Sequence, residues 1–325
     1  MVDYRESKPT ATYKLKMQNG GLDMAEIMVS TENLTKYYGG KAAVYDVTMQ
    51  IEKGAIAALV GQNGAGKTTL IRILTGLVKP SGGKFELLSG QPRNNCDVAA
   101  IVERPSIYTG LTAMDNLIAQ STLLGLPINR DTLSELLRSV GLDPNMKKNA
   151  GDFSLGMKQR LSIAMALVGK PKLLFLDEPT NGLDPQGIVE MRELFVKMSR
   201  EEGVTILISS HILSELGKFA TDFFIMDNGR LIKQISREEL LKQASNVVYL
   251  TVDNIITTVQ TLKEFGEAQA VSPNQVQVKT TLPLAQIITK LSEAGVTVYN
   301  ISQGSDPLED YYMQLIRGNY NGGIQ

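Results

Sequence analysis

The chain holds a single cysteine, Cys96, so no internal disulfide can form, a usage that fits a reducing compartment. Cys96 itself reads as a small apolar residue rather than a reactive thiol. Long apolar runs are also missing, since a bilayer span needs roughly 18 such residues. The best candidates, 55–60 and 204–208, have the length of buried strands. Asp3, Arg5 and Glu6 stand where a secretory signal would need an apolar core. Any membrane association is therefore expected to come through a partner. A net charge of −1 removes a global basic field for nucleic acid or acidic lipid and leaves room only for local patches. Internal repeats, low-complexity tracts and heptad runs are absent too.

The 325 residues suffice for one large domain or two ordinary ones, and 43% hydrophobic with 21% charged residues is a globular composition. Residues 1–27 are polar, contain glycine and lack clear periodicity, so they read as a poorly ordered extension. Near Val29 an ordered fold begins, with Val47, Met49 and Ile51 alternating as on a half-buried strand. From Ala55 onward, β-α units follow. Apolar runs at 55–60, 98–102, 173–176 and 204–208 suit a sheet covered on both faces. Residues 112–141 read as helical, with Leu133, Leu136, Leu137 and Val140 on one face. A first domain is thus expected over 28–241. A second, over 246–325, has the order strand 247–252, helix 255–265, strands 268–271 and 275–279, helix 284–294, strand 296–302, and a final helix 308–316. That βαββαβ order predicts a ferredoxin-like unit.

The strongest motif is the run Gly61, Gln62, Asn63, Gly64, Ala65, Gly66, Lys67, Thr68, followed by Thr69, between an apolar strand and a helix. The glycines let backbone N–H groups of Gly64, Ala65 and Gly66 wrap phosphates, and the helix N-terminus adds partial positive charge. Lys67 would reach the β- and γ-phosphates of ATP, and Thr68 would offer a hydroxyl to Mg2+. A glycine turn with an idle lysine is the bland alternative. The second motif is an apolar strand, 173–176, ending in Asp177 and Glu178 at the carboxyl edge of the sheet. Asp177 would hold magnesium and Glu178 would polarise the attacking water as general base. A lone Asp-Glu would merely cap a strand; beside Gly61–Thr68 it points to phosphoryl chemistry.

With these motifs in place, residues 28–240 resemble the nucleotide-binding subunit of an ABC transporter. Phe153-Ser154-Leu155-Gly156-Met157 stands where that family has its LSGGQ signature; Ser154 and Gly156 match, while Leu155 and Met157 depart from it. The resemblance implies that Ser154 and Gly156 meet the γ-phosphate, that Gly182-Leu183-Asp184 is the D-loop, and that His211 is the switch histidine. His211 is the chain's one histidine, and a lone histidine is commonly just a satisfied polar residue. Tyr38 sits where the family stacks a ring on adenine, although it or Tyr37 could equally be packing or surface. Glu103 replaces the family's usual glutamine sensor. It is expected to serve as a magnesium ligand, the alternative being a surface glutamate and a lost sensor.

The fold so implied is α/β: a P-loop NTPase of the ABC nucleotide-binding type, with an antiparallel β subdomain and a helical subdomain, plus a small α+β ferredoxin-like C-terminal domain. The family further implies ATP and Mg2+ as cofactors and head-to-tail pairing with a second nucleotide-binding domain, identical or paralogous. It also implies a separate transmembrane permease, and hence a place at the cytoplasmic face of the membrane. Residues 153–160, Glu103 and the closing Leu308-Glu309-Asp310-Tyr311-Tyr312 resemble bacterial exporters of the bacitracin and lantibiotic-immunity type, which remove peptide antibiotics. Two other classes stand beside this. One is a soluble ATP-driven clamp on DNA or the ribosome, which usually carries a coiled coil or two cassettes and would show salt-dependent nucleic-acid binding. The other is a metabolic kinase, which would leave Ser154, Asp184 and His211 unexplained.

Overall fold

The computed structural model describes residues 13–18, 21–91, 94–103, 106–244, 247–280, 282–303, 308, 311, 312 and 315. Three strands open the chain: β1 (Tyr13–Gln18), β2 (Gly21–Tyr38) and β3 (Lys41–Glu52). This corrects the expected poorly ordered extension where it is described. Residues 13–18 pair antiparallel with 21–26, from Tyr13 opposite Glu26 to Gln18 opposite Gly21. The basis is a short period-2 alternation, Tyr13, Leu15 and Met17 against Lys14, Lys16 and Gln18, in register with Leu22 and Met24. The rest of the stretch 1–20 lies outside the described residues. Beyond residue 26, β2 pairs with β3 through several register shifts.

Next come β4 (Ile56–Val60), α1 (Lys67–Leu74), β5 (Gly82–Leu87), which pairs antiparallel with β2, and β6 (Val98–Ile101). The helical stretch expected over 112–141 is two helices, α2 (Ala113–Leu123) and α3 (Arg130–Ser139), broken around Gly125 at φ 68° and Pro127. Thr112 and Asn129 cap them by accepting from first-turn amides. Then follow α4 (Leu155–Leu167), β7 (Leu173–Asp177), α5 (Pro185–Glu202), β8 (Thr205–Ser210), α6 (Leu213–Leu216), β9 (Asp222–Asp227) and β10 (Arg230–Ser236).

The second sheet runs in the order β10-β9-β4-β8-β7-β6, with β4, β6, β7, β8 and β9 parallel. Every residue of β4, β7 and β8 is buried. Continuous apolar strands are what a sheet needs when helices cover it: α1 packs on β7, α4 on β6, and α5 on β4 and β8. Because β4, β8 and β7 are parallel neighbours, the segments leaving Val60, Ser210 and Asp177 emerge side by side at one edge. That edge carries the site.

By internal compactness the chain forms two units, one of residues up to Ile212 with Phe219–Gln234, the other of Leu213–Lys218 with Ile235 onward. Residues 235–241, placed in the first domain by the sequence reading, cluster with the C-terminal unit, within the segment that forms α7 (Arg237–Ala244). That unit continues with β11 (Val247–Val252), α8 (Ile255–Leu262), β12 (Gly266–Ser272), β13 (Gln275–Thr280), α9 (Leu284–Glu293) and β14 (Val298–Gln303). Its sheet, β12-β13-β11-β14, is antiparallel throughout, the arrangement of a ferredoxin-like βαββαβ unit. Leu250, Val276, Val278, Leu262, Ile287 and Leu291 form its core. The helix expected to run to Phe265 ends at Leu262, and its last turn tightens to a 3-10 turn before Gly266. Of the expected final helix, residues 308, 311, 312 and 315 are helical and the others lie outside the described residues.

Candidate active site

Leaving β4, the chain turns through Gly61 to Gly66 into α1. Ala65 N donates to Gln62 O (3.1 Å), Gly229 N to Ala65 O (3.1 Å) and Leu70 N to Gly66 O (2.9 Å), so the loop is tied at both ends. Gln62, Asn63 and Gly64 are exposed, Gly61 and Ala65 are buried, and Thr69 is half-buried on the first turn of α1. Gly66 caps that helix at φ 100°, and a Cβ there would lie 2.4 Å from the Ala43 carbonyl oxygen. No side chain fits without moving backbone. Gly66→Ala should therefore lower the melting temperature by roughly 2–8 °C, from about 1–2 kcal/mol of left-handed strain at ~2–4 °C per kcal/mol. It should also abolish ATP binding in calorimetry. Native affinity in this variant would mean the loop has room to adjust.

Lys67 folds back on its own loop, with Nζ 2.6 Å from Gly61 O and 3.2 Å from Gln62 O. Its side chain is 7% exposed and lies 3.9 Å from Glu178 Oε1. Burial pushes the ammonium below its usual pKa, while Glu178 and then Asp177 act in the opposite direction. The Asp177 carboxylate is divided: Oδ2 accepts from Thr68 Oγ1 (2.8 Å) and Oδ1 from Ser209 Oγ (2.6 Å).

Glu178 takes a left-handed backbone, φ 52°, which is uncommon for a residue with a side chain. Its N–H is shared between the Ser209 carbonyl (3.1 Å) and the Ser209 hydroxyl (3.0 Å). That turn aims the carboxylate back across the sheet edge, where Oε2 lies 2.8 Å from His211 Nδ1. An ionised carboxylate only accepts, so Nδ1 carries the proton and Nε2 is the nitrogen left to meet a ligand. Lys67, Thr68, Asp177, Glu178 and His211 are thus brought together, from segments up to 144 positions apart (211 − 67).

Other expected members sit on neighbouring elements. Ser154 is the N-cap of α4, its hydroxyl accepting from Met157 N at 3.3 Å; Asp184 caps α5 through Gly187 N at 3.2 Å. Gly156 lies against the Leu183 side chain, and Leu155 lies over bare Gly182, where a Cβ would come within 2.3 Å of Leu155 Cδ2. The departure at Leu155 is accommodated by a glycine in the loop it covers. Arg160 ties α4 to α5 through Glu190 Oε2 (2.7 Å), holding the Glu190 carboxyl below its usual range together with Gln186. Tyr38, at the end of β2, is 46% exposed with Lys36 Nζ 5.2 Å from its ring centre. The Glu103 carboxylate pairs with Arg72 of α1 at 2.5 Å. Ser209 was missed by the sequence reading; the available signal was a buried hydroxyl directly after the apolar run Ile206, Leu207 and Ile208.

Chemically, the edge offers backbone N–H groups and an ammonium for a polyphosphate, and beside them a carboxylate able to take a proton from water. Thr68 Oγ1 and Asp177 Oδ2, two oxygens 2.8 Å apart, form the hard donor pair that a magnesium ion accepts.

A family model described as "ABC transporter" matches residues 44–181. The bacitracin transport ATP-binding protein BcrA of Bacillus licheniformis is 38% identical over 304 residues, 91% of this chain and 99% of the relative. The lantibiotic transport ATP-binding protein SrtF of Streptococcus pyogenes is 44% identical over 223 residues, 67% and 96% of the two chains. Among solved structures, cbiO1 of Clostridium perfringens, part of the ABC transporter complex cbiONQ, superposes with a TM-score of 0.59 at 28% identity over 67% of this chain and 91% of its own.

Proposed function

The chain belongs to the family of ABC transporter ATP-binding proteins, and from that premise we propose that it powers export of a peptide antibiotic or similar amphipathic compound through a separate transmembrane permease. As a family member it is an ATPase. The observation that carries the hydrolytic assignment is Glu178 poised between Lys67 and His211 beside the Thr68–Asp177 pair. Export of a peptide antibiotic is supported by the near full-length likeness to a bacitracin transport protein. The need for a permease is supported by the absence, among the described residues, of any helix long and apolar enough to cross a membrane.

In this reading Gly61 to Thr69 and Lys67 hold the triphosphate, Tyr38 stacks on adenine, and Ser154 and Gly156 meet the γ-phosphate of a second copy or paralogue, whose own signature helix does the same in return. Glu178 takes the proton of the attacking water, and His211, held by Glu178 through Nδ1, faces the γ-phosphate with Nε2, which donates to a phosphate oxygen once it too is protonated. Magnesium held by Thr68 and Asp177 would offset phosphate charge. Glu103 joins them only by releasing Arg72. Losing the γ-phosphate removes the bridge between the two copies and lets them part.

The test is to express the Glu178→Gln chain in its host, solubilise membranes with ATP present and identify what co-purifies. A polytopic membrane protein whose loss sensitises cells to a peptide antibiotic is the expected result. Ribosomes or nucleic acid in its place would move the assignment to a mechanical clamp.

A further inference from the structure

Building on the ATPase reading, we propose that Ser209 is a positioning residue of the hydrolytic site, orienting Asp177 for metal binding and anchoring the backbone turn that aims Glu178. Ser209 is fully buried at 0% exposure and directly opposite Asp177 in the parallel β7–β8 register. The residues before it, Ile206, Leu207 and Ile208, are core side chains. A hydroxyl in such a strand must find partners, and the cheapest are backbone carbonyls. This one instead gives its single proton to Asp177 Oδ1 at 2.6 Å and accepts the Glu178 N–H at 3.0 Å.

Both bonds act on the reaction machinery. With Oδ1 tied to Ser209, the carboxylate plane is set and Oδ2 is turned to Thr68 at 2.8 Å, so the two oxygens suited to magnesium face the same point. A metal-ligating carboxylate that is itself hydrogen-bonded binds its ion more tightly than a free one, because no rotamer has to be selected on binding. The second bond completes a two-acceptor clamp on the Glu178 N–H, the other acceptor being the Ser209 carbonyl at 3.1 Å. That clamp opposes the tendency of Glu178 to leave φ 52°, and with it the direction of its carboxylate toward His211. One side chain thus links the metal-binding and proton-accepting halves of the site. Neighbouring Ser210 does something else: its hydroxyl accepts from Ile212 N.

The experiment uses the full-length chain with Ser209→Ala and Ser209→Thr. Manganese is the probe, its binding with ATP followed by paramagnetic resonance and its support of hydrolysis by phosphate release. For Ser209→Ala we expect manganese affinity in the presence of ATP to fall about 10-fold and kcat to fall by a similar factor. Metal-free ATP affinity should stay within about 2-fold, since Lys67 and the loop are untouched. Ser209→Thr, which keeps the hydroxyl, should recover both manganese affinity and kcat. Unchanged manganese affinity and kcat in Ser209→Ala would overturn the proposal, as would a threonine variant that melts like the native chain yet behaves as the alanine. Failure of the native chain itself to hydrolyse ATP with manganese or magnesium would instead overturn the ATPase reading beneath it.

Discussion

Glu178→Gln is expected to keep ATP affinity near the native value, to lose about 100- to 10,000-fold in turnover, and to accumulate as an ATP-dependent dimer. The side chain is nearly isosteric, so the amide oxygen can still accept the His211 Nδ1–H bond now measured at 2.8 Å. What disappears is the charge and the basicity. A neutral amide cannot take the proton of an attacking water, and the chemical step stalls with the γ-phosphate in place. Binding loses little, because the Lys67 ammonium lies 3.9 Å from Glu178, and that attraction is exchanged for phosphate when nucleotide arrives. Phosphate release and size-exclusion chromatography with and without ATP measure both halves of the expectation. A variant that dimerises equally without nucleotide, or turns over at the native rate, would falsify the assignment of Glu178 as the base and of the γ-phosphate as the bridge.

How far this was visible beforehand depends on the range of each interaction. Strands β4 and β7 were legible because each is apolar along its length, β7 up to the closing Asp177, and β8 because Ile206, Leu207 and Ile208 make its centre apolar, a pattern the sheet rewards locally. The turn from Gly61 to Thr68 was legible because a glycine loop between a strand and a helix is a contiguous backbone device. Asp177 and Glu178 were legible as the polar end of an apolar strand. The hairpin β1–β2 was overlooked because its alternation is only six residues long and is set among glycines and polar residues. The Ser209–Asp177 bond joins residues 32 positions apart and depends on two strands being parallel neighbours in register, which no single segment encodes. The same holds for Leu155 over Gly182: the departure from the signature was plain, but the glycine that accommodates it lies in another loop. Glu103 was read as a sensor from its place after β6, whereas its partner Arg72 comes from the preceding helix.

Lys67→Ala should separate binding from stability. A charge-assisted hydrogen bond contributes about 1.5–3 kcal/mol, so losing the ammonium from a triphosphate it touches should weaken ATP binding roughly 10- to 150-fold. The fold should barely notice. In the native chain the ammonium is 7% exposed, and its burial lowers its pKa, the mark of a cation held where solvation is poor. Against that cost stand bonds to the Gly61 and Gln62 carbonyls at 2.6 and 3.2 Å and the pull of Glu178 and Asp177. Alanine removes the cost and the compensation together, and Gln62, one of the two carbonyl partners, is an exposed residue whose carbonyl water can meet. The melting temperature without nucleotide is therefore expected to shift by no more than about 3 °C, of the order of 1 kcal/mol, while the ATP-induced rise expected of the native chain shrinks. Paired thermal melts with and without ATP check this directly. A large loss of stability without nucleotide would make Lys67 a structural brace of the loop. An undiminished ATP-induced rise would leave the triphosphate held by backbone N–H groups and the helix N-terminus alone.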